Sequence, residues 1–406
     1  MLVNTKEPKV LRDPIHGYIH VNLQVIWDCI NAKEMQRLRR IHQLGGDFQV
    51  YHTAEHSRFS HSLGVYEIVR RMIEEIDDLA SALTDYEKAT VMLAGLLHDI
   101  GHGPFSHAFE AISVCKHEEY TKKIILEDSE IHQILASVDT QLPEDVAKII
   151  SYVHPNDLLN QMVSGQLDAD RMDYLLRDAY FTGTSYGNFD LERVIRTIRI
   201  VDQKITVKES GIHSVEDYIM ARYHMYWQVY LHPVARSYEG LLTSLFARMK
   251  DVHLTHPEIL VDVPMFLPFL ISQEAPMKDL VRLDEAAAFY GFSILETCDD
   301  EILRDLSKRV LDRHLFEYAT IEHDNDIDKM IEKANAKGYD PRYYVFMDHA
   351  SQRPYSPYKM KEGHNIWIEC EDKKIRELSE VSGIVRAVCQ AKIKEDRKVY
   401  FPKEIL

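Results

Sequence analysis

The feature that most constrains the fold is the spacing of apolar residues at intervals of three and four. It recurs between glycine, proline or polar residues in segments near 31–44, 61–77, 85–99, 105–112, 116–127, 143–153 and 168–180. This spacing puts apolar side chains on one face of a helix, whereas a half-buried strand alternates every second residue. The pattern predicts a compact helical domain and not an array of alternating strands and helices.

Shorter segments predict strands around this helical body. Residues 10–22 and 199–207 alternate like two-stranded ribbons, whereas 215–250 predicts one or two long helices. Strands are expected later in the chain, at 343–347, 366–370 and 398–401.

We therefore expect a mainly α fold of two parts. Residues 1–335 would form the helical domain with its short N-terminal hairpin, and 336–406 a smaller α+β region. The stretch 354–362, with two prolines and several charges, predicts a flexible loop.

Charge and cysteine content restrict the function. The 406 residues include 48 Lys and Arg against 65 Asp and Glu, a net charge of −17. A surface of this sign repels polyanions, so no nucleic-acid partner is expected and any nucleotide site must be a local concentration of Arg and Lys. The five cysteines are scattered and form no CxxC pair. With neither a signal peptide nor a membrane span in view, we expect a cytoplasmic protein.

Two motifs rich in His and Asp stand out, at residues 98–107 and 168–178. The first follows the apolar stretch 91–97, which predicts that it lies at a buried helix end. Neighbouring side chains on a helix point about 100° apart. His98 and Asp99 can therefore share one cation only at the end of the helix, or if both lean toward one pocket.

Burying an Asp-His pair costs on the order of several kcal/mol unless its charge is compensated, by a metal or by a structural ion pair. A single histidine is more often a packed core residue than a ligand. The upstream His61 and the second acidic motif favour a metal here. Two histidines and two carboxylates leave open positions and suit Mn, Fe, Ni or Mg better than a closed zinc site of four thiolates; Zn stays an alternative. A cation held this way can lower the pKa of a bound water toward neutrality, which is hydrolase chemistry.

Longer strings carry a family resemblance. His61, His98, Asp99 and Asp170 match the H…HD…D signature of HD-domain phosphohydrolases, which nucleotidases, phosphodiesterases and alarmone hydrolases share. The strings 13–17, 36–46 and 58–65, with the two motifs, resemble the deoxynucleoside triphosphate triphosphohydrolase branch. That branch contains bacterial dGTP-activated enzymes and a mammalian enzyme that joins an HD domain to a sterile alpha motif. The resemblance runs from about residue 9 to 318, and 400–404 also resembles the bacterial members.

The resemblance implies that a metal quartet, His61, His98, Asp99 and Asp170, holds a cation beside the α-phosphate of the substrate. It also implies a proton-handling group formed by His102, His107, Glu110 and His117. Glu110 stands where the mammalian enzyme has Asp. For His107 and His117 the alternative is that of helix-surface or capping histidines.

The resemblance implies a substrate site as well. The family positions that contact phosphate match Arg58, Arg171 and Arg222. The family positions around the deoxyribose match Gln43, Tyr174, Asp178 and Tyr230, and His232 belongs to the same substrate site. Arg171 replaces a Lys of the mammalian enzyme and can make a bidentate contact. Another Lys of that enzyme is Pro233 here, which removes one contact. The two tyrosines could instead be ordinary core residues.

Finally, the resemblance implies an activating guanine nucleotide that bridges subunits. The family positions that contact this nucleotide match Lys9, Asn31, Gln36, Arg39 and Arg313, and a second nucleotide would lie near Arg193. Asn31 replaces an Asp and offers guanine one acceptor and one donor instead of two acceptors. The alternative for residues 36–40 is a solvated cationic helix face.

The sequence thus predicts a metal-dependent dNTP triphosphohydrolase that releases deoxynucleoside and tripolyphosphate, activated by GTP or dGTP and assembled as a homotetramer. Two alternatives stay open. One is another HD phosphohydrolase that acts on a monophosphate, cyclic nucleotide or alarmone. The other is a nucleotide sensor with weak catalysis.

Overall fold

The structure is a computed structural model that describes residues 2–113, 115–271, 274–323, 325–352, 355, 365–391 and 394–406. The side chains of residues 107, 325, 351, 352 and 394 are outside this description. So is the loop predicted at 354–362, apart from residue 355. Within the described residues, no helix is both long and apolar enough to cross a lipid bilayer.

Helices dominate the described chain, which confirms the prediction of a mainly α fold. The α-helices are α1 (Gln24–Asn31), α2 (Lys33–Arg37), α3 (Arg58–Glu75), α4 (Asp77–Ala82), α5 (Asp85–Leu97), α6 (His117–Leu126), α7 (Glu130–Val138), α8 (Leu142–Ile150), α9 (Asp157–Ser164), α10 (Ala169–Thr182), α11 (Leu191–Thr197), α12 (Ile212–Met225), α13 (Pro233–Thr255), α14 (Leu267–Leu270), α15 (Met277–Leu280), α16 (Glu285–Leu295), α17 (Glu301–Leu311), α18 (Asn325–Ala336), α19 (Pro341–Tyr344), α20 (Leu378–Val381) and α21 (Gly383–Gln390). A π-helical turn, Tyr226–Tyr230, joins α12 to the segment before α13.

Strands form three small sheets. They are β1 (Asn4–Asp13), β2 (Gly17–Leu23), β3 (Ile198–Val201), β4 (Lys204–Lys208), β5 (Glu317–Thr320), β6 (Phe346–Gln352), β7 (Trp367–Glu369), β8 (Ile375–Glu377) and β9 (Lys394–Phe401). The sheets have the orders β1-β2, β3-β4-β7-β8 and β5-β9-β6. All pairs are antiparallel except β4 with β7, where Thr206 pairs with Trp367.

The helix before the metal motif shows why the local sequence folds as it does. A capping box starts α5, because the Thr84 side chain accepts from the Glu87 backbone while the Glu87 carboxylate bonds Thr84 in return. Val91, Leu93 and Leu97 then lie fully buried. The helix ends at Leu97, so the next two residues sit at a buried helix end.

Three predicted elements differ from the structure. The helix predicted at 31–44 is the short α2 followed by a 3-10 turn, Leu38–Arg40, and the one at 105–112 is a 3-10 helix, Ser106–Ala111. Positive φ angles at Phe105 and Ser106 break the regular helix there. The strand predicted at 343–347 begins only at Phe346, because Pro341 starts the short α19.

The C-terminal elements pack against the helical body. Strand β7 extends the β3-β4 ribbon, and Arg236 of α13 makes two hydrogen bonds to Asp348 of β6, at 2.7 and 2.9 Å. A Cβ added to Gly240 would lie 1.9 Å from the Phe346 ring. Buried residues from both sides of residue 335 share one apolar core. The division into domains at that residue stays a prediction.

Candidate metal centre and adjoining cavity

Four predicted metal ligands meet between three helices. His61 lies in α3, His98 and Asp99 directly follow α5, and Asp170 occupies the first turn of α10. His61 Nε2 lies 3.1 Å from Asp170 Oδ1 and 4.0 Å from Asp99 Oδ2. His98 Nε2 lies 3.5 Å from Asp99 Oδ1 and 3.6 Å from Asp170 Oδ1. The helix end thus lets two adjacent residues face one point.

Both imidazoles present the nitrogen that a cation needs. His98 Nδ1 lies 2.9 Å from the Gly95 carbonyl oxygen, which can only accept, so Nδ1 carries the proton. His98 Nε2 is buried, has no hydrogen-bond partner among the described residues and faces carboxylate oxygens. The lone pair of His98 Nε2 and the carboxylate oxygens repel one another, and a cation between them would remove this repulsion. His61, His98 and Asp99 bring two nitrogens and a carboxylate oxygen close enough to hold one ion. Asp170 Oδ1 lies beside both histidines, so the donor set fits a divalent metal.

Charge around the site keeps the carboxylates ionised. Burial alone would raise the pKa of Asp99, but His98 and Arg58 hold it well below its usual range. Burial likewise opposes ionisation of Asp170, and the neighbouring His61 and His98 lower its pKa. Both acids are therefore available as anionic ligands.

A buried ion-pair network holds His61 from behind. His61 Nδ1 lies 2.8 Å from Asp173 Oδ2, and His16 Nε2 lies 2.6 Å from Asp173 Oδ1. Arg177 donates to both oxygens of Asp173, at 2.8 and 2.9 Å, and also to Asp13, at 2.9 Å. Outer carboxylates of this kind fix the tautomer and the orientation of a ligating histidine.

The predicted proton-handling residues form a chain that leads away from the metal ligands. His102 Nε2 lies 3.4 Å from Asp99 Oδ1, and the His102 ring stacks on His117 with 3.8 Å between centroids. His117 Nδ1 lies 2.6 Å from Glu110 Oε1. Burial and the Arg58 guanidinium hold the pKa of His102 well below its usual value, which favours a neutral ring able to accept a proton. The backbone of His107 lies in the neighbouring 3-10 helix.

A cavity of about 390 Å³ adjoins this site. Five predicted substrate residues line it: Gln43, Arg58, Tyr174, Asp178 and Tyr230. Arg58 connects the cavity to the metal ligands, because Nη1 donates to Asp99 while Nη2 donates to Ser106 Oγ at 2.7 Å.

Deeper in the cavity, polar groups lie in fixed positions. Tyr230 donates to Asp178 Oδ2 at 2.8 Å, and His56 Nε2 lies 2.8 Å from Asp178 Oδ1. The Tyr174 and Tyr230 rings meet edge to face, with centroids 6.1 Å apart. The buried Gln43 Oε1 has no hydrogen-bond partner in the described part of the chain. These groups offer donors and acceptors to a small polar ligand.

Three predicted substrate residues do not line this cavity. Arg171 pairs with Asp168, and Arg222 donates to Gln166 at 3.3 Å. Arg222 nevertheless lies near the cavity, because its Cζ is 6.0 Å from the centroid of the Tyr226 ring, which lines it. Burial raises the pKa of Tyr174, whereas the charges of Arg222 and Arg171 lower it. His232 instead caps α13, because its Nδ1 accepts from Val234 N at 3.2 Å.

Four of the predicted activator residues are linked by contacts through α1, where Gln36 donates to the Ile30 backbone oxygen at 2.7 Å, and two lie elsewhere. Lys9 lies over the Trp27 ring, and the Asn31 side chain donates to the Trp27 backbone oxygen. The Arg39 side chain donates to the Gln36 side-chain oxygen at 2.9 Å. Arg193 lines a separate cavity of about 490 Å³ with further arginines and several acids. Arg313 donates to the Gln49 oxygen at 2.8 and 2.9 Å.

Sequence reasoning missed several residues of the site. His16 lies in a quoted motif but was given no role, and Asp173 and Arg177 lie in the acidic motif at the i,i+4 spacing of an ion pair. That spacing was a usable signal. His56 and Ser106 gave none, because their roles depend on long-range contacts with Asp178 and Arg58.

Comparison with known proteins identifies the family. A model of the HD domain matches residues 58–178, and a model of an HD-associated region matches 189–264. Protein YwfO of Bacillus subtilis is 43% identical over 406 residues, which cover 98% of this chain and 93% of YwfO.

Two further relatives carry a functional name. A deoxynucleoside triphosphate triphosphohydrolase SAMHD1 homologue of Dictyostelium discoideum is 32% identical over 257 residues, which cover 59% of this chain and 49% of the homologue. The crystal structure of a phosphohydrolase from Bacteroides thetaiotaomicron superposes with a TM-score of 0.87 at 28% identity, covering 98% of this chain and 100% of the other. The chain therefore belongs to the HD-domain family of phosphohydrolases, and part of it is similar to a deoxynucleoside triphosphate triphosphohydrolase.

Proposed function

We propose that this protein is a metal-dependent dNTP triphosphohydrolase of deoxynucleotide catabolism in the cytoplasm. One observation carries the proposal: Arg58 bonds the metal ligand Asp99 and also lines the cavity that contains Gln43, Tyr174, Asp178 and Tyr230. A substrate whose sugar lies among these residues has its 5′ side directed toward the metal ligands. The name of the Dictyostelium relative supports the same substrate class.

The proposed reaction joins water to the α-phosphorus and breaks the bond between that phosphorus and the 5′-oxygen. The 5′-oxygen takes a proton and leaves as deoxynucleoside, and the triphosphate chain leaves as tripolyphosphate. His61, His98, Asp99 and Asp170 would hold a divalent cation, which would supply polarisation of the phosphate and a lowered pKa for the attacking water. Arg58 neutralises phosphate charge beside the site, and Arg171 and Arg222 are proposed to assist it.

Proton transfer is assigned to the chain of His102, His117 and Glu110. The lowered pKa of His102 keeps its ring neutral at neutral pH, so it can accept a proton from water. His117 stacks on that ring and is held by Glu110 at 2.6 Å. His107 follows the same motif and is proposed as a further member of this group.

Asp178 and Tyr230 are proposed to select the sugar. The Asp178 carboxylate can accept a hydrogen bond from a 3′-hydroxyl, and one of its oxygens already accepts a hydrogen bond from the Tyr230 hydroxyl. The Tyr174 ring beside them fills space that a 2′-hydroxyl needs. A deoxyribose is therefore favoured over a ribose.

Activation by GTP or dGTP, and a homotetramer that such a nucleotide stabilises, complete the proposal. The contacts that link Lys9, Asn31, Gln36 and Arg39 support a nucleotide site at these residues. A ligand bound between subunits would stabilise their assembly by mass action.

Ion-pair chromatography tests the reaction. Protein loaded with Mn²⁺ is incubated with each dNTP, with and without GTP, and the products are separated. Tripolyphosphate and deoxynucleoside are expected, with release that depends on the guanine nucleotide. Release of orthophosphate or pyrophosphate instead would assign the protein to another HD phosphohydrolase branch. Nucleotide binding without any product would favour the sensor.

A further inference from the structure

The cavity is also lined by a carboxylate that the proposed chemistry does not use. Asp47 begins the 3-10 helix Asp47–Gln49, is 8% exposed and lines the cavity. Among the described residues, no hydrogen bond or ion pair to its carboxylate is found, and burial and the charges of Glu239, Asp178 and Arg236 act on it instead. A buried acid without a protein partner is costly, so its retention at a cavity wall points to a ligand group.

The local backbone is built to bring Asp47 to this wall. A Cβ added to Gly46 would lie 2.1 Å from the Tyr238 ring, so only glycine lets the loop pack this closely on α13. Gly45 has a φ of +55°, a conformation that side chains rarely adopt. Two glycines thus fix the approach of Asp47 to the cavity.

The surroundings make the part of the cavity near Asp47 anionic. Glu239 also lines it and pairs with Arg236, but Arg236 is shared with Asp348. One cation therefore serves two carboxylates, and Asp47 has none of its own. Burial and the charges of Glu239 and Asp178 raise the pKa of Asp47 well above its ordinary value, and Arg236 offsets this only in part. Without a ligand the protonated form is therefore favoured, whereas hydrogen-bond donors from a ligand would favour the ionised carboxylate. Arg58 and the metal ligands, by contrast, attract phosphate.

We infer that Asp47 reads the base of the nucleotide and makes the cavity prefer guanine, an inference that rests on the proposed dNTP substrate. Asp178, the proposed sugar residue, lies close enough to Asp47 to act on its charge, whereas Arg58 bonds the metal ligand Asp99. A nucleotide with its phosphate at Arg58 and its sugar at Asp178 would therefore put its base near Asp47.

The preference follows from the hydrogen-bonding edges of the bases. A carboxylate offers two acceptor oxygens, and guanine presents adjacent donors at N1 and N2. Adenine and cytosine present one amine beside an acceptor nitrogen. Thymine presents N3–H between two carbonyl oxygens, which a carboxylate repels. Thymine is therefore the least favoured base.

A competition experiment tests the inference. The four dNTPs are mixed at equal concentration with the Mn²⁺-loaded protein, and the deoxynucleosides formed early are quantified. Because all four compete for the same enzyme, product ratios report ratios of kcat/KM, and the degree of activation cancels. The parent should form deoxyguanosine about tenfold faster than thymidine, the factor expected for one net hydrogen bond to a charged group.

The nearly isosteric Asp47→Asn should bring that ratio close to one, and Asp47→Ser serves if the first variant does not fold. The matched control is Asp202→Asn, which removes the same charge from the exposed turn between β3 and β4. It should leave the ratio unchanged. Equal product rates in the parent, or a ratio that Asp47→Asn leaves unchanged, would overturn the inference.

Failure of the proposed function has a different signature, since then the parent releases no deoxynucleoside from any dNTP. In that case equilibrium dialysis with labelled dGTP and dTTP decides the inference. With excess GTP present to occupy the proposed activator site, Asp47→Asn must weaken dGTP binding about tenfold and spare dTTP. Equal affinity of parent and variant for dGTP would contradict the role of Asp47.

Discussion

Asp173 Oδ2 lies 2.8 Å from His61 Nδ1, and both side chains are almost completely buried, at 0% and 1% exposed. Asp173 is not among the predicted metal ligands. It orients one of them from behind, so its effect should be on metal affinity more than on the shape of the cavity.

Asp173→Asn should therefore weaken metal binding by about 10- to 100-fold, the usual effect of losing an outer-shell carboxylate. The measurement is competition with a chromophoric chelator, with Mn²⁺ or Co²⁺. Asp217→Asn, at an exposed position of α12, is the matched control and should bind metal like the parent. Parent-like metal affinity in a folded Asp173→Asn protein would contradict the role of Asp173.

His16 gives an independent variant for the same prediction. Its Nε2 lies 2.6 Å from Asp173 Oδ1, whereas it does not contact His61. His16→Ala should weaken metal binding in the same direction and by a smaller factor. An unchanged affinity would show that the hairpin turn does not hold the site.

Gly64→Ala should destabilise the protein. A Cβ at this position of α3 would lie 1.8 Å from Asp173 Oδ1 and 2.5 Å from Arg177 Nη2, so the buried network would have to move. We expect a loss of about 3 kcal/mol in the free energy of unfolding, at the upper end of overpacking costs. Urea denaturation measures it. Gly383→Ala, where nothing lies within 4 Å of the added carbon, should change stability far less.

The mainly helical fold could be predicted because amphipathic spacing is a local property. The metal quartet could be predicted because its motifs are short and specific. His98 and Asp99 even met the condition stated for them, since α5 ends at Leu97. Two local details could not be predicted from periodicity. The strand starts only at Phe346 because Pro341 begins a short helix before it, and residues 106–111 form a 3-10 helix because Phe105 and Ser106 have positive φ angles.

The lining of the cavity was predicted only in part. Arg58 and Tyr174 were found from motifs, but Asp47, Glu239 and Arg236 carry no local signal. Their positions depend on the packing of the loop at Gly46 against α13 and of β6 against Arg236. Such long-range contacts are not encoded in the spacing of nearby residues.

Asp170→Ala should separate catalysis from binding. It removes a carboxylate ligand that is not part of the cavity lining, so nucleotide binding should persist while turnover falls at least about a hundredfold. Product release and equilibrium dialysis of a dNTP measure the two effects. Treating the parent with a chelator should reproduce the loss of turnover, and added Mn²⁺ should restore it in the parent only. Full activity in Asp170→Ala would contradict the assignment of the metal site.

The pairing of His42 with Glu285 should make stability depend on alkaline pH. Burial lowers the pKa of His42, but hydrogen bonds to Glu285 and Glu55 outweigh this and raise it to about 9, above the unfolded value of about 6.5. The raised pKa means that this stabilisation is fully present below about pH 6.5 and is lost as pH rises through 9. We expect a contribution on the order of 2 kcal/mol, since the side chain is 21% exposed. Urea denaturation at pH 6 and pH 10 measures it in the parent and in His42→Gln, which lacks the titrating group. The parent should lose more stability than the variant over this range, and an equal loss in both proteins would contradict the assignment.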